Sequence, residues 1–180
     1  VTAIGNETFE SCASLESVTI PDSVTAIGDK AFSECFSLTS ITIPDNVTVI
    51  GVAAFSSCRS LTSITIPDSV TAIGANPFRG CSKLTDIIVS PDHPTLATID
   101  GVLFDKTEKK LIFYPIALNA SRYTVPHGIR SIGDYAFMNC AALKSVNGLA
   151  AVTELGAGAF YGCSSLELSD SLVAVEKAGD

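Results

Sequence analysis

Charged residues and long hydrophobic runs are both scarce in this sequence. Only 17% of its 180 residues are charged, which is below the roughly 25% of ordinary globular proteins. Because 47% are apolar, the composition excludes intrinsic disorder, which requires low hydrophobicity and high net charge. The longest apolar run, Leu111 to Leu118, has about eight residues, whereas a membrane helix needs roughly 18. We therefore expect a folded segment that does not insert into a membrane.

Basic residues and recognisable leader features are also few. Eleven Lys and Arg stand against nineteen Asp and Glu, for a net charge of −8 and a pI near 4.6. Nucleic-acid binding needs clustered positive charge, so we do not expect a nucleic-acid partner. The chain starts at Val1 with no visible signal peptide. We expect it to be a fragment of a longer array.

What is abundant is repetition. Within two runs, each cysteine follows the previous one by 23 residues, and Gly, Phe and Leu accompany every cysteine at constant offsets. The unit reads Val-x-x-Ile-Gly-x-x-x-Phe-x-x-Cys-x-x-Leu-x-x-Ile-x-Ile-Pro-Asp. The cysteines are Cys12, Cys35, Cys58, Cys81, Cys140 and Cys163. A fixed period of this length is typical of solenoids.

The spacing inside one unit indicates its local structure. Ile41 and Ile43 alternate with small polar residues before a proline, which predicts a short strand. Apolar steps of three from Phe32 to Leu38 predict a helical or 3-10 turn on the return path. The glycine after each Ile marks either a positive φ or a close approach between coils. Since one unit cannot bury its apolar residues alone, stacked units should form a continuous core with a parallel sheet on one face.

The repeat resembles the BspA-like class of bacterial leucine-rich repeats, through Ile-Gly-x-x-x-Phe-x-x-Cys-x-x-Leu-x-x-Ile-x-Ile-Pro. The resemblance implies an α/β repeat solenoid, namely a right-handed leucine-rich repeat superhelix. It also implies a non-catalytic, extracellular or cell-surface recognition and adhesion module that binds host or matrix proteins. A structural spacer or stalk that displays another domain is the alternative from a different functional class.

The six cysteines allow two interpretations. Each lies in the apolar register between a Phe and a Leu, which favours a ladder of reduced, buried thiols acting as small hydrophobes. Disulfides between neighbouring coils stay open as an alternative, because the coil spacing of about 4.8 Å does not forbid them. Metal binding is not expected, since equivalent residues in a row do not converge on one point.

The array is interrupted between two regular blocks. We expect one domain, 1–180, with regular repeats at 1–90 and 123–168 and an irregular repeat at 91–122. Val102–Phe104 and Leu111–Tyr114 flank a polar segment, which predicts a hairpin. Whether residues 111–114 also join the strand ladder stays open.

This interruption is a candidate protein-binding protrusion. Residues 91–130 carry a local charge of +1, whereas both flanking segments are acidic. Irregular, aromatic-bearing loops on a rigid scaffold often carry binding sites. The alternative is that the apolar residues fill the local core and the lysines solvate a turn. The candidate ligand-binding residues are Lys106, Lys109, Lys110, Tyr114, Arg122 and Tyr123.

A second candidate surface is the solvent side of the predicted sheet. Stacked strands should align outward hydroxyls into two rows suited to a protein or to a carbohydrate. The alternative is that these residue types merely suit an exposed strand. The row residues are Ser17, Thr19, Ser40, Thr42, Ser63 and Thr65.

Catalytic signatures are lacking. The chain has two histidines, His93 and His127, and no nucleophile elbow, phosphate-binding glycine loop or zinc-protease motif. Thiols buried in a core are poor nucleophiles. We therefore expect no enzyme activity, no cofactor and no metal site.

Overall fold

The computed structural model describes residues 1–167, in which the repeat units form the successive coils of a solenoid. Each regular coil passes through two extended segments separated by turns. The predicted fold class is confirmed, with short strands stacked in parallel and few helices. Residue 168, the predicted end of the second regular block, lies outside the described residues.

The first row of strands runs through the Val-x-x-Ile segments. Equivalent residues of neighbouring coils pair in parallel, as Ala26 does with Val49. The repeat pattern predicts only an extended leg here, because a two-residue strand with one inward Ile carries no period-two signal. The four-stranded parallel sheet contains β1 (Ala3–Ile4), β2 (Ala26–Ile27), β3 (Val49–Ile50) and β5 (Ala72–Ile73).

The second row runs through the Ile-x-Ile segments, where the sequence predicts strands. Ile64 and Ile66 are buried, whereas Ser63 and Thr65 are exposed, as the period of two requires. The first four coils are numbered in chain order and contain Cys12, Cys35, Cys58 and Cys81. In the second coil this row is reduced to an isolated bridge between Thr42 and Thr65 of the third coil. Its strands are β4 (Ser63–Ile66), paired with β6 (Asp86–Val89), and β10 (Arg122–Thr124), paired with β12 (Ser145–Asn147).

The irregular repeat contributes the predicted hairpin, and one of its strands joins the ladder. Leu111 pairs in parallel with Ile132 and in antiparallel fashion with Phe104. Residues 111–113 therefore belong to the first row, which resolves the open alternative. The sheet has the order β13 (Glu154–Leu155), β11 (Ser131–Ile132), β9 (Lys110–Phe113), β8 (Val102–Asp105) and β7 (Leu96–Ile99).

The Phe-x-x-Cys-x-x-Leu segments are successive hydrogen-bonded turns instead of helices. The Leu61 amide donates to the Cys58 carbonyl at 3.1 Å. Ala53 and Ser57 have φ values of 53° and 61°, which interrupt any helix and turn the backbone amides towards the next coil. The Ser57 amide accordingly donates to the Arg79 carbonyl at 2.6 Å. Within residues 1–167 the 3-10 helices are Ile116–Leu118 and Leu149–Ala151.

The repeated glycine serves close approach between coils. Gly51 has no positive φ, and a Cβ placed on it would lie 2.5 Å from the Gly28 carbonyl carbon and the Asp29 amide nitrogen. Such distances fall below any real Cβ contact. Of the two roles that the sequence leaves open for this glycine, the structure selects the steric one.

The core consists of two hydrophobic clusters that meet at the hairpin. Leu103 and Phe113 pack into the cluster of the first four coils, whereas Phe104 and Leu111 pack into the cluster of the last coils. In β8 the neighbours Leu103 and Phe104 thus point to opposite clusters, as the pleat requires. In β9 Ile112 joins Phe113 in the first cluster, and the β8–β9 register shifts between Leu103 and Phe104. The hairpin acts as a two-sided wedge, which the expectation of a continuous core did not include.

A ladder of aromatic rings runs through both clusters. The rings of Phe32 and Phe55 are stacked 5.6 Å apart with an interplanar angle of 0°. At the wedge the geometry changes, because Phe113 meets Phe78 edge-on at 67°. Each aromatic pair contributes about 0.5–1.5 kcal/mol beyond its burial.

The glycine contacts give a stability prediction. Gly51→Ala should lower the free energy of unfolding by about 1–3 kcal/mol, since the added methyl group forces two coils apart. Gly5→Ala is the matched control: the repeat position is the same, yet the nearest atom to its Cβ is Thr8 Oγ1 at 3.4 Å. It should change stability by less than about 1 kcal/mol. Urea unfolding followed by circular dichroism measures both, and equal losses would contradict the close-approach role.

Candidate binding surfaces

The sheet-face hydroxyl rows are exposed as the sequence predicts. All six side chains point away from the core, while the intervening Val18, Ile41 and Ile64 point towards it. The bridge between Thr42 and Thr65 places these two residues side by side. The residues of the sheet-face rows are Ser17, Thr19, Ser40, Thr42, Ser63 and Thr65.

These hydroxyls differ from other threonines of the repeat. Thr25 and Thr48 donate through Oγ1 to the main-chain carbonyl of the preceding coil, at 3.1 and 3.2 Å. Thr39, next to the sheet-face rows, does the same at 3.3 Å. Within residues 1–167 none of the six sheet-face hydroxyls has a hydrogen-bond partner. They are therefore free to bond a ligand, whereas the other threonines brace the coils.

Later coils change the chemistry of this face. Asp86 and Ile88 occupy the outward positions of the fourth coil, and the Ile88 side chain is 52% exposed. Arg122 lies at the corresponding position of the irregular coil, opposite Ser145. The structure thus separates Arg122 from the protrusion with which the sequence grouped it, and places it on the second strand row.

Two of the three predicted lysines of the protrusion have intramolecular partners, which the sequence did not indicate. Lys106 donates from Nζ to the main-chain carbonyl of His93. Lys110 is half-buried and lies 3.9 Å from the carboxylate of Glu108. Lys109 is exposed, with a φ of 55°. Of the three predicted lysines, Lys109 presents its charge to solvent most freely.

His93 is a structural residue. Its side chain is fully buried, with Nδ1 accepting hydrogen bonds from the amides of Thr95 and Leu96 at 3.2 and 3.0 Å. Since Nδ1 is an acceptor, Nε2 carries the hydrogen and donates to the Pro67 carbonyl at 3.2 Å. The imidazole thereby ties the irregular repeat to the third coil, while His127 is exposed elsewhere on the surface.

The two predicted tyrosines pack in the second core cluster. Tyr114 is 3% exposed and stacks on Phe137 with 4.9 Å between ring centres. Tyr123 meets Tyr114 edge-on at 5.0 Å. Burial raises the pKa of Tyr114 to about 12 and also raises the pKa of Tyr123. Their rings fill the core, which corresponds to the alternative stated for this segment.

The cysteines are free thiols with a specific bond. Cys58 and Cys81 are fully buried, and each thiol donates to the carbonyl of the Phe 26 residues earlier, at 3.2 and 3.0 Å. Cys163 repeats the contact with the Phe137 carbonyl at 3.0 Å. The reduced ladder is confirmed, with Cys12 exposed at one end of it. The thiol is more than a small hydrophobe, because it also satisfies a main-chain carbonyl.

The thiols of the inner coils resist ionisation. Burial raises the pKa of Cys35 to about 12. The neighbouring Cys81 thiol and burial raise the pKa of Cys58 well above its usual range. Because the thiolate is the reactive form, these groups are poor nucleophiles near neutral pH.

The described part of the chain shows neither a metal-binding cluster nor a membrane-spanning helix. In residues 1–167, no group of three or more His, Cys, Asp or Glu side chains is arranged to hold a metal ion. Over the same residues, no helix combines the length and the hydropathy needed to cross a bilayer.

A model of the BspA type leucine-rich repeat region matches six copies in this chain, over residues 2–120 and 109–177. The chain belongs to this family. Members of the BspA-type family are built from such repeats and are generally non-catalytic, and their repeats commonly mediate protein interactions. No curated protein matches the chain.

Solved structures of bacterial proteins share the fold. A leucine-rich cell surface protein from Faecalibacterium prausnitzii is 33% identical, with a TM-score of 0.75 over 93% of this chain and 50% of its own. A leucine-rich repeat protein from Eubacterium ventriosum is 27% identical, with a TM-score of 0.78 over 92% and 56%. The pneumococcal vaccine antigen PcpA is 28% identical, with a TM-score of 0.65 over 81% and 42%. The chain spans about half the length of these relatives.

The thiol ladder predicts graded reactivity with a thiol reagent. In the native protein at pH 8, Cys12 should react fast and the half-buried Cys163 more slowly. The four buried thiols should stay protected, since Cys35, for example, is about one-thousandth ionised even at pH 9. Because burial disfavours the Cys35 thiolate and raises the pKa of this thiol to about 12, the fold should lose stability as the pH rises from about 9 towards 12. Colour development with Ellman's reagent checks the order.

Two controls make this test decisive. Cys12→Ser should remove the fast phase and leave the rest unchanged. In 6 M guanidinium all six thiols should react. Fewer than five free thiols there, or more than two fast ones in the native chain, would contradict the ladder.

Proposed function

We propose that this chain is a non-catalytic recognition segment of a secreted or cell-surface bacterial protein, and that it binds host or matrix proteins through the sheet-face rows. The observation that carries the proposal is the contrast among hydroxyls: the bracing threonines are bonded, whereas the six in the rows are exposed and unbonded within residues 1–167. The named cell-surface relative supports the location.

The geometry of the rows suits a flat protein surface. Outward residues repeat once per coil, at about the 4.8 Å spacing of paired strands. A partner strand or loop laid across the coils meets a hydroxyl at each step. Each net hydrogen bond contributes about 0.5–1.5 kcal/mol, so affinity requires contacts over several coils together.

The protrusion is a secondary part of this proposal. Lys109 and Arg122 are exposed, and both carry positive charge on an otherwise acidic chain. Lys106, Lys110, Tyr114 and Tyr123 are engaged in internal contacts. A binding contribution from the irregular repeat therefore rests on the first two residues.

Two other functions remain candidates. The same hydroxyl rows suit the hydroxyl groups of a carbohydrate, which exchange hydrogen bonds in both directions. A stalk that displays another domain needs only the rigidity of the stacked coils. The experiment below separates these outcomes.

Removing the row hydroxyls should abolish binding. The triple variant Thr19→Val, Thr42→Val and Thr65→Val keeps side-chain shape and removes three hydroxyls. Binding to immobilised, purified matrix and plasma proteins is measured by biolayer interferometry. The wild-type chain should bind at least one of them, and the variant should lose at least about tenfold in affinity.

The control is Ser14→Ala with Ser164→Ala, two exposed serines outside the rows, which should bind within twofold of wild type. Binding on a glycan array without protein binding would replace the proposal by carbohydrate recognition. Absence of binding in both formats would favour the stalk. Equal binding by the triple variant would overturn the sheet-face site.

A further inference from the structure

The irregular coil is shorter than its neighbours on the turn side, which is the segment from the inward Ile of the first strand row through the Phe to the turns that follow it. In a regular coil the Phe lies five positions after the inward Ile, as Phe55 does after Ile50. Leu111 takes the Ile position in the irregular coil. Tyr114 takes the Phe position, because its amide donates to the Ala136 carbonyl at 2.9 Å. Tyr114 lies only three positions after Leu111, so this coil lacks part of the turn that its neighbours have.

The missing turn leaves main-chain donors of the fourth coil without partners. In the third coil three alternate amides donate to the carbonyls of the next coil, at 2.9, 2.9 and 2.6 Å. Within residues 1–167 the equivalent amides of the fourth coil have no hydrogen-bond partner. They are the amides of Asn76, Phe78 and Gly80.

The facing coil has matching acceptors. Three carbonyls of residues 134–138 occupy the positions that receive such bonds in a regular stack. Tyr114 uses the central one, at Ala136. The Met138 carbonyl is approached within residues 1–167 only by the Cys140 thiol, at 4.0 Å, and the Asp134 carbonyl by no donor. The irregular coil lies between these two coils at Tyr114, so the unpaired groups fall into two separate spaces: Gly80 and Met138 line one cavity, whereas Asn76 and Asp134 line another, which further acidic side chains also line.

The cavity lined by Gly80 and Met138 has a volume of about 300 Å³ and is here called the cleft. Residues 79–82 line one side and residues 135–139 the other, with Phe113, Tyr114 and Ile116 between them. Arg59 and Arg79 both line it, and no Asp or Glu of the described chain does. On a protein of net charge −8, this is a local positive site that favours carboxylates.

Arg59 is held in place before any ligand arrives. Its guanidinium carbon lies 4.8 Å from the centre of the Phe36 ring, a cation–π contact that restricts the side chain. A guanidinium that is already ordered loses less entropy when it pairs with a carboxylate.

We propose that this cleft binds an extended, acidic segment of a partner protein. One carbonyl of the segment accepts from the Gly80 amide, one of its amides donates to the Met138 carbonyl, and its carboxylates pair with Arg59 and Arg79. A free anion satisfies the arginines but has no donor for the Met138 carbonyl, whereas the main chain of a peptide supplies both an acceptor and a donor.

The proposal goes beyond the sheet-face function. None of the six sheet-face residues lines the cavity, so the two sites can be tested and can fail separately.

A random seven-residue peptide phage library tests the cleft. The library is selected on the immobilised wild-type chain after depletion on an Arg59→Gln, Arg79→Gln double variant. Enriched peptides should contain Asp or Glu. Synthesised with a fluorophore, they should bind wild type more weakly as salt is raised from 0.05 to 0.5 M, because charge pairs are screened. The double variant should bind them at least tenfold more weakly.

A steric variant provides an independent check. Ser82→Phe places a ring at the cleft wall, and the fold accepts it because Phe36 occupies the same repeat position in the second coil. It should also weaken peptide binding at least tenfold. Far-ultraviolet circular dichroism and the thiol count verify that it folds.

Two control variants complete the experiment. Arg130→Gln with Lys144→Gln removes the same charge from exposed positions outside the cleft and should bind within twofold of wild type. The Thr19, Thr42 and Thr65 to Val variant should also bind the peptides normally. Enrichment without acidic residues, full displacement by 10 mM acetate, or equal binding by the double arginine variant would overturn the proposal.

Discussion

The main-chain hydrogen bonds between coils set the dimension on which the rest of this structure depends. They hold neighbouring coils at about the spacing of paired strands, so each side chain meets its own equivalent above and below. Rings stack 5.6 Å apart at Phe32 and Phe55, and a thiol reaches a carbonyl at Cys58. At Gly51 no room is left for a methyl group. The composition of the repeat follows from this single distance.

The periodicity of the sequence was sufficient to predict the solenoid and the inward and outward sides of its main strands. Ile64 is buried and Thr65 exposed, as alternation requires. The strand row at Ala26 and the left-handed turns were not predictable in the same way. Two-residue strands have no period of their own, and positive φ values fall on ordinary residues such as Ala53, whose conformation is imposed by bonds to the next coil.

The candidate sites show where pattern reasoning stops. An aromatic residue in an interruption has no repeat position from which to infer burial, so Tyr114 was not distinguishable from an exposed contact residue. Its place in the ring ladder depends on the parallel pairing of Leu111 with Ile132, two residues that lie 21 positions apart in the sequence. The sequence also did not predict that Arg59 and Arg79 line the same cleft, because they fall in different units at different repeat positions. The detectable signal was the shortened spacing from Leu111 to Tyr114.

That shortened spacing has a general consequence for a stacked fold. In regular coils the next coil takes alternate main-chain donors on the turn side and the turn itself takes others, so recognition there depends mainly on side chains. A coil that omits part of its turn releases main-chain donors and acceptors on both neighbours, while the wedge and the aromatic contacts keep the stack together. The irregular repeat therefore retains the rigidity of the solenoid and exposes backbone groups that the regular array consumes. Recognition by backbone groups belongs at such a coil, where the unpaired Gly80 amide beside Arg79 offers both a hydrogen bond and a charge to a partner segment.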